Sequence, residues 1–210
     1  ASSTAVRQAL AYATDRETVS SQFYAGAPGE PATANILVGI GALESPNTSY
    51  EFNLDKARAT LDEAGWVQDG SVRKKDGVEL SVAYATTINA VRQKTQAVNK
   101  SNWEEVGIKV QLKQVDAGIF FDSSEGNDQN LAHFYYDITM YTDNATSPFP
   151  VSYMKGWYSG PNRENISQKS NSWVGNGARW TDPEYDQLFD TLAAETDAER
   201  AAETFIKLND

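Results

Sequence analysis

The stretch between residues 80 and 112 constrains the fold of this chain most, because its hydrophobic period changes twice. Apolar and polar residues alternate over 80–84, which predicts a strand. A helical period follows over about 89–106 and ends at Gly107, after which residues 108–112 alternate again. Strand, helix and strand in this order predict two parallel strands joined by a crossover helix. We therefore expect an α/β protein with a mixed sheet flanked by helices.

A third strand is predicted over residues 135–141, where Tyr136, Ile138 and Met140 share one face. In open α/β sheets, ligands bind beyond the carboxyl ends of the strands. The segments that would follow those ends are 86–89, 114–118 and 141–144. These segments are the first candidates for a binding site.

Helices outside this region are predicted from the residues that begin and end them. Asn53 is expected to cap a helix that Gly65 ends, with Trp66 placed against the buried face of that helix. Asp182 and Asp197 are expected to begin two further helices. Residues 142–181 show no regular period and are rich in aromatic side chains, so a long loop region is predicted there.

Composition excludes several classes of protein. The 210 residues carry a formal net charge of -11, so the surface is expected to repel nucleic acid and anionic lipid. No stretch approaches the ~20 consecutive apolar residues that a membrane span needs. There is no cysteine, which excludes disulfides and thiolate chemistry. A nucleic-acid partner is therefore not expected.

No segment carries a recognisable catalytic or metal-binding motif. His133 is the only histidine, and a surface or strand-edge position is expected for it because no catalytic or metal-binding partner can be identified. The acidic segment from Asp122 departs from the calcium-loop pattern at Gly126 and His133. Glu44 stands where the third glycine of a dinucleotide-binding fingerprint would be. We therefore predict no enzymatic activity, no cofactor and no metal.

Several segments, taken in order along the chain, resemble one known family. They are VRQALAYATDRETV from Val6, FNLDKARATLDEAGW from Phe52, DGVELSVAY from Asp76, WEEVGIKVQLKQVD from Trp103, DITMYTDNATSP from Asp137, RWTDPEYDQLFD from Arg179 and ERAAETFIKLND from Glu199. In order and spacing, these segments resemble the family 5 extracellular solute-binding proteins, the receptors of ABC importers for peptides, nickel and oligosaccharides. One departure is Thr14, which stands where the family has an aliphatic residue.

The resemblance implies one lobe of a type II periplasmic-binding-protein fold, in which two lobes close around a solute. Residues 1–210 would form the C-terminal ligand-binding lobe, without the N-terminal lobe and the final return segment. The expected ligand is an oligopeptide and the expected partners are the ABC permease subunits. The receptor would be monomeric and extracytoplasmic, either periplasmic or lipid-anchored at the cell surface. An oligosaccharide-binding receptor of the same family is one alternative, and a carbohydrate-binding or carbohydrate-processing domain is another.

The resemblance also points to Tyr141, Thr142, Asp143 and Asn144 as ligand-binding residues. In the peptide-binding relatives, the loop after the corresponding strand carries an aspartate that pairs with the ligand's α-ammonium group. Asp143 stands at about that place. A carboxylate in a closing cleft suits a cationic amine, because a buried charge needs a partner to offset its desolvation. The alternative interpretation is an Asx turn after a strand.

Trp157 and Trp173 are the remaining predicted ligand-binding residues. Both fall in predicted loops, where a flat apolar ring can stack on a sugar ring or on a ligand side chain. The alternative is that they pack the loops against the sheet. That structural role is the one expected for Trp66, Trp103 and Trp180, since each lies beside a helix.

Overall fold

The structure is a computed structural model that describes residues 3–24, 33–145, 147–167 and 175–210. The chain divides into two compact units. Unit 1 consists of Ala1–Ala32, Tyr50–Phe121 and Tyr135–Tyr141, and unit 2 consists of Thr33–Ser49, Asp122–Phe134 and Thr142–Asp210, in each case where described. Each unit has its own hydrophobic core.

Unit 1 contains the described β-strands and five of the α-helices. Its elements, in chain order, are helix α1 (Thr4–Tyr12), helix α2 (Arg16–Phe23), helix α3 (Leu54–Glu63), strands β1 (Val67–Asp69), β2 (Val72–Lys75), β3 (Val78–Glu79) and β4 (Ser81–Thr87), helix α4 (Ala90–Glu105), strand β5 (Lys109–Val115), helix α5 (Ala117–Phe120) and strand β6 (Ile138–Met140). As predicted, Asn53 caps α3, and its side chain accepts a hydrogen bond from the Lys56 amide at 2.8 Å. The predicted end of α3 is also confirmed, because Gly65 has φ +81° and the Trp66 amide donates to the Leu61 carbonyl at 2.9 Å.

The main sheet of unit 1 has the strand order β5-β4-β6, and both pairings are parallel. Tyr84 in the central strand lies opposite Leu112 on one side and Ile138 on the other. The parallel strand–helix–strand unit predicted from residues 80–112 is therefore confirmed. The third strand is also confirmed, but it is shorter than predicted, because only Ile138–Met140 pairs with β4.

A second, antiparallel sheet of strands β1, β2 and β3 precedes the parallel sheet. Lys75 lies opposite Val78, so Asp76 and Gly77 form a two-residue hairpin loop. Both loop residues have positive φ, +52° and +78°, as type I′ hairpin turns require. The pair Asp76-Gly77 is a turn signal in the sequence, but the three short strands were not predicted from it.

Helix α4 buries polar side chains as well as apolar ones. The helical period over 89–106 predicts that Val91, Val98, Trp103 and Val106 point inward. Trp103 and Val106 are buried, but Val91 and Val98 are only half-buried, and Gln96 and Asn99 are buried as well. The Gln96 side-chain amide donates to the Tyr84 carbonyl at 2.9 Å, and the Asn99 amide donates to the Tyr84 hydroxyl at 3.3 Å. Amide side chains are therefore accommodated next to the sheet because the central strand supplies their acceptors.

Arg73 in β2 is a buried charge that joins three elements of unit 1. Its Nε donates to the Val106 carbonyl at 2.8 Å, at the end of α4. Its Nη1 donates to the Trp66 carbonyl at 2.6 Å and forms an ion pair with Asp62, both at the end of α3. The guanidinium therefore satisfies carbonyl groups that helix ends leave without intrahelical partners.

Unit 2 is built from helices and irregular backbone. Its elements are 3-10 helices at Gly41–Leu43 and Lys155–Trp157, and helices α6 (Val151–Met154), α7 (Pro183–Ala194) and α8 (Ala198–Asn209). The predicted N-caps of the last two helices are confirmed: Asp182 accepts from the Glu184 amide at 2.8 Å, and Asp197 accepts from the Arg200 amide at 3.0 Å. The buried core residues are Leu37, Leu43, Met154, Tyr158, Tyr185, Phe189, Leu192, Ala201, Phe205 and Leu208.

In unit 2, buried asparagine side chains donate hydrogen bonds to backbone carbonyl groups. In unit 1, strand pairing satisfies such groups. The side-chain amide of Asn165 donates to the Tyr158 carbonyl at 2.8 Å, and that of Asn176 donates to the Trp180 carbonyl at 2.7 Å. In the same way, Asn209 at the end of α8 donates to the Leu43 carbonyl at 3.0 Å. Irregular backbone can be buried in unit 2 because these side chains pair with its carbonyl groups.

Candidate functional site

The parallel sheet of unit 1 brings the ends of three strands to one edge. β4 ends at Thr87, β5 at Val115 and β6 at Met140, and since all three run parallel, their carboxyl ends lie at the same edge. The segments 86–89, 114–118 and 141–144 follow these ends, as the sequence predicted. This is the edge at which open α/β sheets bind ligands. We call it the carboxyl edge of unit 1.

Strand β6, which directly precedes Tyr141, is held to β4 by side chains at both ends. At its start, the Asp137 amide donates to the Ala83 carbonyl at 2.9 Å, and the Asp137 carboxylate accepts from the Ala83 amide at 2.8 Å. At its end, the Thr86 hydroxyl donates to the Met140 carbonyl at 2.7 Å. A three-residue edge strand is thereby held in register, which positions Tyr141 at the carboxyl edge.

Polar side chains at the carboxyl edge bind their own backbone or each other. Asn89 caps α4 by accepting from two amides, each at 3.1 Å. Asp116 caps α5 by accepting from the Gly118 amide at 2.8 Å. The Arg92 guanidinium donates to the buried Thr87 hydroxyl at 2.9 Å. These groups therefore serve to shape the edge.

Large apolar side chains are exposed at the same edge. Ile88 follows β4 and is 64% exposed, while Ile119 and Phe121 follow β5 and are 43% and 51% exposed. The Phe121 ring meets the Tyr141 ring edge to face, with centroids 6.2 Å apart. Sequence reasoning missed Phe121, because its apolar character predicts burial. Its position a few residues beyond the end of β5 was the only available signal.

The remaining predicted residues after β6 belong to unit 2. Thr142, Asp143 and Asn144 are all exposed. One oxygen of the Asp143 carboxylate accepts from the Asn144 amide at 2.8 Å, which is the amide of the next residue and not the one two residues on that an Asx turn uses. Burial of the Tyr153 hydroxyl, and then the charge of Asp143, raises the pKa of Tyr153.

The two predicted loop tryptophans have different outcomes. Trp157 is half-buried against the core of unit 2, and its ring lies 5.5 Å from that of Tyr153. The packing alternative therefore describes most of its surface. Trp173 lies outside the described residues. As expected, Trp103 is buried and Trp66 and Trp180 pack against the cores of their units.

The expected surface position of His133 is wrong. His133 is only 2% exposed, and its Nδ1 lies 2.8 Å from the Asn127 carbonyl. The loop that buries it is closed by Asn127 and Asn130, whose side-chain amides donate to the Asp122 carbonyl at 2.7 and 2.9 Å. Hydropathy did not predict this burial because the loop is polar and its interior bonds are made by asparagine side chains.

Two further properties bear on function. Within the described ranges, no cluster of three or more histidine, aspartate or glutamate side chains could hold a metal ion. None of the helices in the described part of the chain has both the length and the apolar character to cross a membrane. The carboxyl edge of unit 1 and the exposed segment 142–144 of unit 2 are the candidate functional features of the described residues.

The sequence profile described as "Bacterial extracellular solute-binding proteins, family 5 Middle" matches residues 1–165. The chain therefore belongs to the family 5 extracellular solute-binding proteins. It is 38% identical over 112 residues to the oligopeptide-binding protein OppA of Lactococcus lactis subsp. lactis strain IL1403, which covers 51% of this chain and 18% of that protein. The family suggested by the sequence segments is thus confirmed.

Solved structures show the same fold. The oligopeptide-binding protein AppA from Bacillus subtilis, in complex with a nonapeptide, matches with a TM-score of 0.72 at 22% identity, over 98% of this chain and 38% of that one. The mannohexaose-bound periplasmic oligopeptide-binding protein from Thermotoga maritima matches with a TM-score of 0.76 at 21% identity, over 98% and 38% of the two chains. The predicted fold class is confirmed. The matched region spans well under half the length of these three proteins.

Proposed function

We propose that this chain forms the C-terminal ligand-binding lobe of a receptor that binds an oligopeptide for uptake by an ABC importer. Family membership and the oligopeptide-binding relatives support this proposal. The match to only part of each relative's length agrees with a lobe of a larger receptor. Closure of two lobes around the peptide would be the form that the permease subunits recognise.

The observation that carries this proposal is the exposed carboxylate of Asp143, three residues after the end of β6. The Asn144 amide occupies one of its oxygens, and an ionised carboxylate has further acceptor positions. The α-ammonium group of a peptide would supply donors and a compensating charge when closure removes water. Tyr141, Thr142, Asn144 and Trp157 are the further proposed contacts, together with Trp173, which lies outside the described residues.

The other parts of the proposal follow from this role. The receptor would act as a monomer outside the cytoplasm, either in a periplasm or anchored by lipid at the cell surface. It would carry no cofactor and catalyse no reaction, because capture and release of the peptide need only the closing of the lobes. Recognition of the peptide backbone and amino terminus would allow varied side chains.

Calorimetric titration of the full-length receptor tests the role of Asp143. Asp143→Asn is expected to weaken binding of a peptide with a free amino terminus by about 2 kcal/mol, or about 30-fold, because it removes a charge-assisted hydrogen bond. Binding of the N-acetylated peptide should not respond to this substitution. Asp128→Asn removes another exposed carboxylate of unit 2 and serves as the matched control. An equal loss for the free and acetylated peptides would contradict the proposed ion pair.

An oligosaccharide ligand is the second candidate, because a structural neighbour was determined with mannohexaose bound. The packing of Trp157 against the core of unit 2 counts against a sugar-stacking role for that side chain. Mass spectrometry of the ligand that co-purifies with the full-length receptor separates the two candidates. A bound oligosaccharide and no peptide would overturn the peptide proposal.

A further inference from the structure

Exposed apolar side chains are concentrated at the carboxyl edge of unit 1. Among the described residues, ten large hydrophobic side chains are exposed, and three of them follow the ends of β4 and β5 at this edge: Ile88, Ile119 and Phe121. Single exposed apolar residues are normal on a protein surface, but several together indicate a surface that meets a partner. This edge is also where a ligand of an open α/β sheet binds.

An aromatic pair joins the two sides of this edge. Phe121 follows β5 and Tyr141 follows β6, and these strands flank β4 on opposite sides. Adjacent strands lie about 4.8 Å apart, so β5 and β6 are separated by about 10 Å. The rings of Phe121 and Tyr141 nevertheless meet with centroids 6.2 Å apart. The two residues that follow the outer strands of the sheet therefore meet at the carboxyl edge.

The neighbour of Phe121 holds it in this exposed position. Phe120 is fully buried, and its ring packs against that of Phe121 with centroids 5.2 Å apart. The short helix α5 ends at Phe120 and is capped at its start by the Asp116 side chain, and Phe121 directly follows it. Phe120 and the cap thus anchor the segment, so the ring of Phe121 is presented without having to be ordered by a ligand.

Several polar groups at this edge are engaged by the protein itself. Asn89 and Asp116 each use one side-chain oxygen to cap a helix, Thr86 donates to the Met140 carbonyl, and Arg92 donates to the Thr87 hydroxyl. The rings of Phe121 and Tyr141 present aromatic carbon among these groups. The chemistry that suits such a surface is an apolar side chain, which gains by leaving water.

We propose that Phe121 and Tyr141, with the exposed Ile88 at the same edge, form an apolar subsite that accepts one aliphatic or aromatic side chain of the bound peptide. This inference rests on the proposed peptide-binding function and adds a side-chain preference to it. Phe121 is a specificity-determining residue in this view. Recognition at Asp143 concerns the amino terminus of the ligand, whereas Phe121 selects among ligands that share that terminus.

Binding of a peptide series to the full-length receptor tests the subsite. The series has a serine- and glycine-rich parent hexapeptide and derivatives with phenylalanine at each position in turn. In the wild-type receptor, one position is expected to give about tenfold tighter binding than the parent. Phe121→Ala should abolish this gain and leave the affinity for the parent within about twofold. Phe121→Leu should keep part of the gain, because leucine still offers apolar surface.

Phe52→Ala is the matched control, since Phe52 is 44% exposed in the same unit but precedes α3 instead of following a strand of the parallel sheet. It should leave the gain intact. A gain that survives Phe121→Ala, or no gain at any position, would refute the subsite while leaving peptide binding established. Equal weakening of all peptides by Phe121→Ala, with a lowered melting temperature, would show instead that another segment of the receptor covers this surface. If no peptide binds the wild-type receptor, both the subsite and the proposed function fail.

Discussion

Unit 1 is built around a parallel sheet and is close to neutral, whereas unit 2 is built from helices and irregular backbone and is strongly acidic. Among the described residues, unit 1 has 13 acidic and 12 basic side chains, and unit 2 has 15 acidic and 5 basic ones. The net charge of the chain thus belongs almost entirely to unit 2. Uncompensated charge keeps a protein soluble but opposes compactness through self-repulsion.

Acidic side chains of unit 2 also accept hydrogen bonds within the fold, a role that paired strands fill for backbone groups in unit 1. Asp186 accepts from the Ser159 amide at 2.8 Å, and Asp190 accepts from the Tyr158 hydroxyl at 2.7 Å. In unit 1, the ladders between β4, β5 and β6 satisfy most of the corresponding backbone groups. The comparison teaches that a unit with little sheet needs side-chain acceptors and donors, and carboxylates and asparagines supply them in unit 2.

The largest expected effect tests whether the two units unfold independently of each other. Phe205→Ala removes a fully buried ring from the core of unit 2 and is expected to lower its free energy of unfolding by about 4 kcal/mol. Hydrogen exchange should then accelerate in α7 and α8 while the amides of β4 and β5 remain protected. Phe149→Ala, at a ring that is 45% exposed, should have a much smaller effect. Equal loss of protection in both units would show one cooperative structure.

A second substitution tests the buried charge of unit 1. Arg73→Met leaves the Val106 and Trp66 carbonyls without their donor, so the free energy of unfolding of unit 1 should fall by about 3 kcal/mol. Lys74→Met removes only an exposed ion pair with Asp69 and should cost less than about 1 kcal/mol. Denaturation monitored by hydrogen exchange in β2 and at the end of α4 measures both. Equal effects of the two variants would mean that Arg73 is replaceable by any apolar packing.

The smallest expected effect concerns two tyrosines whose pKa values are raised to a similar extent by different causes. Burial raises the pKa of Tyr84 in unit 1 to about 12, while the hydrogen bond to Asp190 raises the pKa of Tyr158 in unit 2 to about 12. Asp190→Asn should therefore lower the pKa of Tyr158 and leave that of Tyr84 unchanged, as measured by NMR of labelled tyrosine rings.

The sign of the accompanying stability change follows from linkage. A raised tyrosine pKa stabilises the folded state below the unfolded pKa of about 10, and this contribution is lost as pH rises through about 12. In Asp190→Asn, the contribution of Tyr158 should be smaller and be lost at lower pH. If the pKa of Tyr158 stays near 12 in Asp190→Asn, burial and not the hydrogen bond raises it, as for Tyr84 in unit 1.

The sequence predicted unit 1 better than unit 2, and the reason is periodicity. Strand β5 has one buried face, so Val110 alternates with its exposed polar neighbours and reveals the period. In β4 the period shows only at the start of the strand, at Val82 and Tyr84, because residues 85–87 are all buried. Helix ends were predictable because Asn53, Asp182 and Asp197 act locally on amides two or three residues away. Such signals need no knowledge of distant contacts.

The remaining features depend on contacts that a local pattern does not contain. Gln96 and His133 are buried because acceptors elsewhere in the fold pair with them, so their polarity predicted the wrong environment. Two adjacent phenylalanines, Phe120 and Phe121, read alike in the sequence, yet one is buried and the other exposed. For the candidate site, the strand ends were predictable, whereas the apolar pair at the carboxyl edge was not.

The late position of β6 in the chain has a consequence for synthesis on the ribosome. When residues up to 121 have emerged, β4 can pair with β5, but its other side still has an unpaired backbone. An open strand side of this kind invites association with other chains. The nascent polypeptide must therefore expose it until thirteen residues of unit 2 and then β6 have been translated, and the bonds of Asp137 and Thr86 close it as soon as they arrive.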